Sequence, residues 1–338
     1  ESVQKAAAST INDLMTLGES NQFRKGAQSV DDFLAWKNTL PFYAFKKLGG
    51  AGSTIFEGMM NGWDKLAFNT KAVTDYAESV YTAEQVKEWS KKTHTVKLHA
   101  AETLEVTDEG KLEARAAEEQ PEVTLTVAQI MSIYCLSKRE QALGHMVGGG
   151  IKIAAESKSG LKVKKQSEHY RLDYEDIKNI IGLLTEDQLE VAKKLQKYME
   201  EQGSRWGNEI SMARFGYRAF TERNYFPIKT DSNNRAAVDE NAKNNDLYRL
   251  LNISATKPLT YNANNSIIVS SIFDVFAEHM ADMAKYNALA LPILDMMKWY
   301  NFKATAEGGK AVSVQDAVET AYGKAGKDYI VTFMKDLN

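Results

Sequence analysis

A helix-start signal recurs along this chain and constrains its fold more than any other feature. It pairs a Ser or Thr with an acid or amide three residues later, so that each side chain can bond a backbone amide that the helix leaves free. The signal occurs at Thr82 with Gln85, Thr126 with Gln129, Thr185 with Gln188 and Ser313 with Asp316. These starts favour a chain built mainly of α-helices.

Apolar residues at steps of three and four extend these starts into helices. The predicted helices span about 2–17, 30–47, 52–80, 83–92, 127–146, 174–183, 186–202, 205–220, 239–251, 266–300 and 314–336. The longest stripe runs from Ile268 to Met297 and includes His279, which we expect to lie in the core. Pro41 and Pro292 lie inside two of these helices, where the missing amide and the ring clash should kink or end them.

Strand-like sequence lies in the middle of the chain. Short runs there alternate in polarity or carry β-branched residues, which favours strands. The runs are 95–99, 122–125, 150–153 and 161–164. They predict one small sheet, or a hairpin with further extended chain. The segment 102–122 is rich in Asp and Glu, and we expect a solvated loop with a turn at 108–110.

The predicted fold is therefore mainly α, a bundle-like body of several helices with a small β excursion in the middle. A chain of 338 residues is long enough to bury a sizeable core. We expect three parts: an N-terminal helical segment at 1–92, a mixed segment with short strands and one helix at 93–171, and a C-terminal helical region at 172–338.

The charge balance and the cysteine content exclude several classes of function. With 42 Lys and Arg against 45 Asp and Glu, the net charge of −3 gives no overall attraction for nucleic acid or an anionic membrane. Cys135 is the single cysteine, so an internal disulfide framework and a Cys-rich zinc site are excluded. The sequence has no apolar run of the ~18 residues that a membrane span needs, and we expect no membrane contact.

The candidate metal-binding and catalytic residues each have a structural explanation. His94 and His99 are five residues apart in a strand-like run, where alternation places them on opposite faces. Cys135 lies within an apolar helix, and we expect an inert, packed thiol. The glycine runs at 49–52 and 148–150 lack the order of a phosphate-binding loop and are typical of helix ends. We therefore predict no metal site, no cofactor and no small-molecule substrate.

The most distinctive charge feature is a basic stretch from Lys152 to Arg171, with His169 and Tyr170 at its end. Cations with neighbouring rings could bind phosphates and stack on bases, although a solvated hairpin face explains them equally simply. The candidate nucleic-acid-binding residues in this stretch are Lys158, Lys162, Lys164, Lys165 and Arg171.

A second stretch, 204–229, combines four arginines with six aromatic residues. The arginines are Arg205, Arg214, Arg218 and Arg223, and the aromatic residues are Trp206, Phe215, Tyr217, Phe220, Tyr225 and Phe226. This combination could form a hot spot for a partner through cation–π contacts. It could also join a helix end to a buried extended segment, which is the interpretation we favour.

The run from Leu125 to Ala142, followed by His145 and 148–151, resembles a block in the large polyvalent proteins of bacterial mobile elements and phages. Similar segments follow in the same order at 184–188, 206–211, 224–229, 321–329 and 336–338. The resemblance therefore covers about 125–338, a helical accessory region, and extends to 1–124 by position alone. Its candidate interaction or structural residues are Tyr134, Lys138, Arg139, His145, Trp206, Asn208, Tyr217, Asn224, Tyr225 and Pro227.

This resemblance implies a module of a multidomain protein whose other domains include DNA methylases, Swi/Snf-type helicases, peptidases and phage-head domains. Such proteins are thought to travel with or protect incoming DNA. The implied module is non-catalytic, and its implied partners are other domains of a larger parent chain, with DNA as a further candidate. The implied location is the bacterial cytoplasm or the inside of a phage particle. Because the chain begins at Glu1 in mid-pattern, we expect a piece of a longer polypeptide.

Two other hypotheses stay open at this point. The chain could be a nucleic-acid-binding module that uses the basic stretch. It could also be an enzyme that uses His145 with Glu140, or Asn208 with Glu209 and Arg205. The spacing of Glu140 and His145 is poor for one helix face, which weighs against the first of these pairs.

Overall fold

A computed structural model describes residues 2–21, 41–99, 102–106, 112–116, 121–153, 169–229, 266–305 and 311–336. The helices are α1 (Ser2–Asn21), α2 (Pro41–Lys46), α3 (Gly49–Val80), α4 (Ala83–Trp89), α5 (Val127–Ser137), α6 (Glu140–Gly149), α7 (Tyr174–Ile181), α8 (Glu186–Tyr198), α9 (Ser204–Phe215), α10 (Ile272–Asn301) and α11 (Val314–Asp336). The strands are β1 (Thr93–Lys97), β2 (Glu102–Val106), β3 (Leu112–Ala116), β4 (Glu122–Thr126), β5 (Ile151–Ile153), β6 (His169–Tyr170), β7 (Ile267–Val269), β8 (Lys303–Thr305) and β9 (Ala311–Ser313). The predicted fold class, mainly α with small β excursions, is confirmed.

Each predicted helix-start pair forms a reciprocal cap. At Thr126, for example, the Gln129 amide donates to the threonine hydroxyl at 3.2 Å, and the Thr126 amide donates to the glutamine side chain at 2.9 Å. The pairs at Thr82, Thr185 and Ser313 bond in the same way. A further cap at Asp173 and Asp176, which starts α7, was not predicted.

Several helix boundaries differ from the prediction. The predicted helix 127–146 is two helices, because Arg139 has an extended backbone (φ −104°, ψ 119°) between α5 and α6. The start of the predicted helix 266–300 is β7. Pro41 is the first residue of α2, where a missing amide is tolerated, and Pro292 lies inside α10. The predicted helix 239–251 and strand 161–164 lie outside the described residues.

The strands form three small sheets. β1 pairs antiparallel with β4, and β8 pairs antiparallel with β9. The third sheet has the order β3-β2-β6-β5-β7, in which only β5 and β7 are parallel. The loop prediction for 102–122 was wrong, because β2 and β3 form an antiparallel hairpin there. Acidic residues such as Glu105 and Glu113, which face each other across this hairpin, hid its alternation.

The described residues divide into two compact units, with boundaries inside α3 and α10. The terminal unit contains the residues up to Asn69 and those from Lys285 onward. In it, α1 packs against α11 and β8, the Phe45 ring packs against Phe333 at 5.2 Å, and Asn69 donates a buried hydrogen bond to the Asn287 side chain at 3.1 Å. The sequence-based division at 92 and 171 stays a prediction.

The central unit runs from Thr70 to Ala284 and is built around α5. This helix is buried from Val127 to Leu136 and packs against α4, α6, α7, α8, β4 and β7. The Ser132 hydroxyl donates to the Ser270 carbonyl at 2.7 Å, which joins α5 to the residues before α10. The expected packing of the Cys135 thiol is confirmed, and its burial raises the pKa of the thiol.

Candidate functional site

Residues 216–229, which we call the strap, follow α9 and return alongside it without regular secondary structure. Gly216 ends α9 in the left-handed conformation (φ +77°), and its amide donates to the Met212 carbonyl at 3.0 Å. A residue without a Cβ adopts this conformation easily, so the chain can reverse direction there. The far end of the strap joins β7, because the Ile268 amide donates to the Lys229 carbonyl at 2.8 Å.

Side chains of α9 hold the first half of the strap by its backbone. The Asn208 carboxamide donates to the Phe220 carbonyl at 2.8 Å and accepts from the Phe220 amide at 3.0 Å. The Ser211 hydroxyl donates to the Tyr217 carbonyl at 2.7 Å. These bonds replace the strand partner that an extended segment otherwise needs to satisfy its backbone groups.

Two side chains from the end of α8 and just beyond it hold the middle of the strap at Asn224. The Gln196 carboxamide donates to the Asn224 carbonyl at 2.8 Å and to the Cys135 carbonyl at 3.1 Å, so it links the strap to the end of α5. The Glu200 carboxylate accepts from the Asn224 amide at 2.8 Å. Asn224 has a positive φ of 52°, a conformation that asparagine tolerates better than most residues.

Arg139 connects the break between α5 and α6 to the strap. Its side chain is 7% exposed, and its guanidinium lies 3.0 Å from the Glu222 carboxylate and 5.9 Å from the centre of the Tyr225 ring. On its other side the Tyr225 ring packs against His279, with 5.1 Å between ring centres. Burial raises the pKa of Tyr225 to about 12 and lowers the pKa of His279 to about 4, so both are neutral at pH 7.

A π-helical turn, Met199–Gly203, joins α8 to α9 and brings Glu200 and Glu201 to the strap. Gly203, the last residue of this turn, is buried and packs close to His279 and Met280. Single π turns within α-helices are frequent at functional sites.

An open cleft of about 550 Å³ lies between the strap and the helical segment formed by the π turn and α9. It is lined by Glu200, Glu201, Ser204, Arg205, Asn208, Glu209, Met212, Arg218, Phe220, Thr221, Glu222 and Arg223. Met212 in this lining is 47% exposed, and two rings that follow it in the sequence, Phe215 and Tyr217, are 52% and 61% exposed. The Arg214 guanidinium covers the Phe215 ring at 4.7 Å.

The stretch 204–229 has the structural role that we favoured for it, and its role as a hot spot for a partner stays a prediction. Trp206 and Phe226 are buried, and Tyr225 and Pro227 are partly buried, so these residues tie the strap to the helices. Phe215 and Tyr217 remain at the surface. In the resembling run 125–142, Tyr134 is buried and lies under the Lys138 ammonium at 4.6 Å.

The basic stretch is described only at its two ends. Lys158, Lys162, Lys164 and Lys165 lie outside the described residues, Lys152 is buried and Arg171 is partly buried. The His169 ring is buried as well, with Nδ1 2.8 Å from the Ser266 hydroxyl oxygen. Ser266 donates its single proton to the Gly149 carbonyl at 2.8 Å, so His169 must be the donor to Ser266. His169 therefore joins β6 to β7 and is not available for stacking on bases, and nucleic-acid binding by the lysines stays a prediction.

His99, Asp173 and Asp176 bring ligand-type atoms within 4.8 Å of one another at the start of α7. Asp176 is fully buried, and its oxygens accept from the His99 amide at 2.8 Å, from the His99 ring at 2.9 Å and from the Asp173 amide at 3.0 Å. The positive end of a helix dipole also disfavours a cation there. We therefore interpret this cluster as a helix cap.

The residue pairs considered for catalysis are either separated by burial or engaged in contacts that hold the fold. His145 is buried on α6, whereas Glu140 is exposed at the start of that helix, so the two do not share a surface. The Asn208 carboxamide forms both of its hydrogen bonds with the strap backbone, so its role is structural. The sequence contained no signal for these strap contacts beyond the residue types, because the partners meet only in the folded chain.

Comparisons with protein-family models, with curated proteins and with solved structures give no match for this chain. The resemblance to large polyvalent proteins is therefore carried by the residues quoted for it and stays a prediction. Among the described helices, none has both the length and the apolar character needed to cross a membrane.

Proposed function

We propose that this chain is a non-catalytic structural and interaction module of a large multidomain protein from a mobile element or phage, with the strap and its cleft as the contact face. In such a protein the module would assist the establishment or protection of incoming DNA. The observation that carries the proposal is that Arg139 and Asn208 contact the strap, which itself contains Asn224 and Tyr225. These residues come from three separate segments of the resembling region.

The contacts that these side chains form favour a role in recognition over a role in catalysis. Asn208 and Gln196 bond backbone groups, and Arg139 is held between a carboxylate and a ring. The large pKa shifts of His279 and Tyr225 are caused chiefly by burial, which is typical of packed groups.

A fixed strap that exposes aromatic rings is well suited to binding a protein. Hot spots are rich in aromatic residues and arginine, and a surface ordered in advance loses little entropy on binding. Phe215 and Tyr217 stand next to each other with 5.9 Å between ring centres, and Arg214 covers the first of them. This patch is the part of the strap most accessible to a partner.

The proposal is tested by affinity capture with the full chain as bait, in cells that carry the parent element. We expect proteins encoded by that element to be retained, and the double variant Phe215→Ser and Tyr217→Ser to lose them. Phe68→Ser is a matched control, because Phe68 is 74% exposed on α3 in the terminal unit. Capture that fails for the unchanged chain, or that depends on Phe68 and not on the two strap rings, contradicts the proposal.

A further inference from the structure

The cleft beside the strap has a charge pattern that points to the chemistry of its ligand. We propose that it binds a short acidic segment of a partner protein, with carboxylates on Arg218 and Arg223 and an apolar side chain on the patch of Met212, Phe215 and Tyr217. This inference rests on the proposed function and names the chemistry of the partner.

Two arginines of the strap have guanidinium groups that a ligand could bind. Arg218 and Arg223 line the cleft and are exposed, and neither forms an ion pair or hydrogen bond among the described residues. By contrast, Arg139 pairs with Glu222, and Arg205 donates to the Gln202 side chain. A guanidinium presents two parallel donors that match a carboxylate, which makes Arg218 and Arg223 suited to bind one.

Three glutamates that line the cleft already have partners in the structure. Glu222 faces Arg139, Glu201 lies 3.8 Å from the Lys197 ammonium, and Glu200 accepts the Asn224 amide. Arg218 and Arg223 are therefore guanidinium groups of the cleft that lack a carboxylate counterpart among the described residues. A ligand that brings negative charge to Arg218 and Arg223 would supply that counterpart.

The apolar patch is close to Arg218 in the sequence, at the end of α9 and the start of the strap. Met212 lines the cleft, and Phe215 and Tyr217 lie between it and Arg218 in the sequence. A peptide that alternates an acid with a large apolar residue can use both features at once. Because Ser211 and Asn208 fix the strap backbone at Tyr217 and Phe220, the patch is presented without further ordering.

The acids of the cleft favour a peptide over nucleic acid. A nucleic-acid strand carries a phosphate at every nucleotide, and these would pass Glu200, Glu201 and Glu209 on the helix side of the cleft. A peptide can place one or two carboxylates on the strap and keep the rest of its length neutral. Repulsion by the glutamates therefore selects against a polyanion.

The experiment is selection of randomised peptides displayed on phage against the full chain, followed by fluorescence anisotropy with the enriched peptides. We expect enrichment of peptides that combine acidic with large apolar residues. Their affinity should fall about 10-fold or more in the double variant Arg218→Glu and Arg223→Glu, because an attractive contact with the peptide's carboxylates becomes repulsive. Arg218→Lys with Arg223→Lys should lose part of this affinity, since lysine keeps the charge but not the paired donors.

A matched control reverses two exposed lysines of the central unit, Lys87→Glu and Lys193→Glu, and should bind the peptides unchanged. Enriched peptides without acids, or binding that is equal in the Arg218 and Arg223 reversal, overturn the inference. So does competition by single-stranded oligothymidine, which would assign the cleft to nucleic acid. If element-encoded proteins are still captured through Phe215 and Tyr217 while peptide binding ignores the two arginines, the proposed function survives and this inference alone fails.

Discussion

The Asn208 carboxamide makes two hydrogen bonds with the backbone of Phe220, donating to its carbonyl at 2.8 Å and accepting from its amide at 3.0 Å. An asparagine side chain has the donor and acceptor geometry of a peptide group, so it pairs with the strap as a neighbouring strand would. This contact fixes the strap at Phe220, between the candidate ligand-binding residues Arg218 and Arg223.

Replacing Asn208 with Ala should release this part of the strap. The Phe220 amide and carbonyl would lose their partners, at a cost of about 1–3 kcal/mol. We expect faster hydrogen exchange at the Phe220 amide in Asn208→Ala. Asn208→Asp should keep part of this protection, since its carboxylate can accept from the amide but cannot donate to the carbonyl. Asn179→Ala, on an exposed position of α7, is the control and should leave that exchange rate unchanged. Equal protection of Phe220 in the wild type and Asn208→Ala would show that the two bonds contribute nothing.

Gly207 should be intolerant of any side chain. A Cβ at this position would lie 2.6 Å from the Phe220 ring, closer than packed atoms approach. Gly207→Ala should lower the free energy of unfolding by about 1–3 kcal/mol, as overpacking does. Gly144→Ala on α6 is the matched control, because a Cβ there meets nothing within 4 Å and alanine favours a helix. Urea denaturation that ranks the two variants in the opposite order contradicts this account of the strap.

The elements that could be predicted from sequence depend on local contacts. The caps at Thr82, Thr126, Thr185 and Ser313 join residues three apart, and the core stripe of α10 follows from the helical period. The strap could not be predicted in this way. Its contacts join Gln196 to Asn224 and Asn208 to Phe220, which are far apart in sequence or meet only after the chain reverses.

Two misread elements show why sequence patterns fail in this chain. No Pro or Gly marks the break at Arg139, and apolar residues continue on both sides of it, so the pattern predicted one helix. The break places the buried Arg139 side chain against Glu222. It is therefore explained by a tertiary contact and not by a local sequence signal. In the hairpin of β2 and β3 the sequence is rich in acids, which are depleted in strands, yet β2 pairs with β3 on one edge and with β6 on the other.

His279 should make the protein less stable in mild acid. Its pKa is about 4 in the folded chain and about 6.5 when unfolded, so the unfolded state binds the proton more tightly between these values. Its contribution is present above about pH 6.5 and is lost as the pH falls through the folded pKa. We expect the free energy of unfolding to drop by about 2–3 kcal/mol across this range, measured by urea denaturation. His279→Phe keeps a ring against Tyr225 and should flatten this part of the profile; an identical slope in the variant would contradict the assignment.

His99 should act in the opposite direction and at higher pH. The hydrogen bond to Asp176 raises the pKa of His99 above its usual 6.5, so the folded state binds the proton more tightly than the unfolded state. The contribution is therefore complete below about pH 6.5 and is lost as the pH rises through the raised pKa. Urea denaturation between about pH 6 and pH 8.5 should show this fall in the wild type and a flatter profile in His99→Gln. His94→Gln is the control, since His94 has no carboxylate contact among the described residues and the fall should persist. A fall that survives in His99→Gln would mean that another group titrates in this window and that the His99 and Asp176 contact does not set the pH dependence.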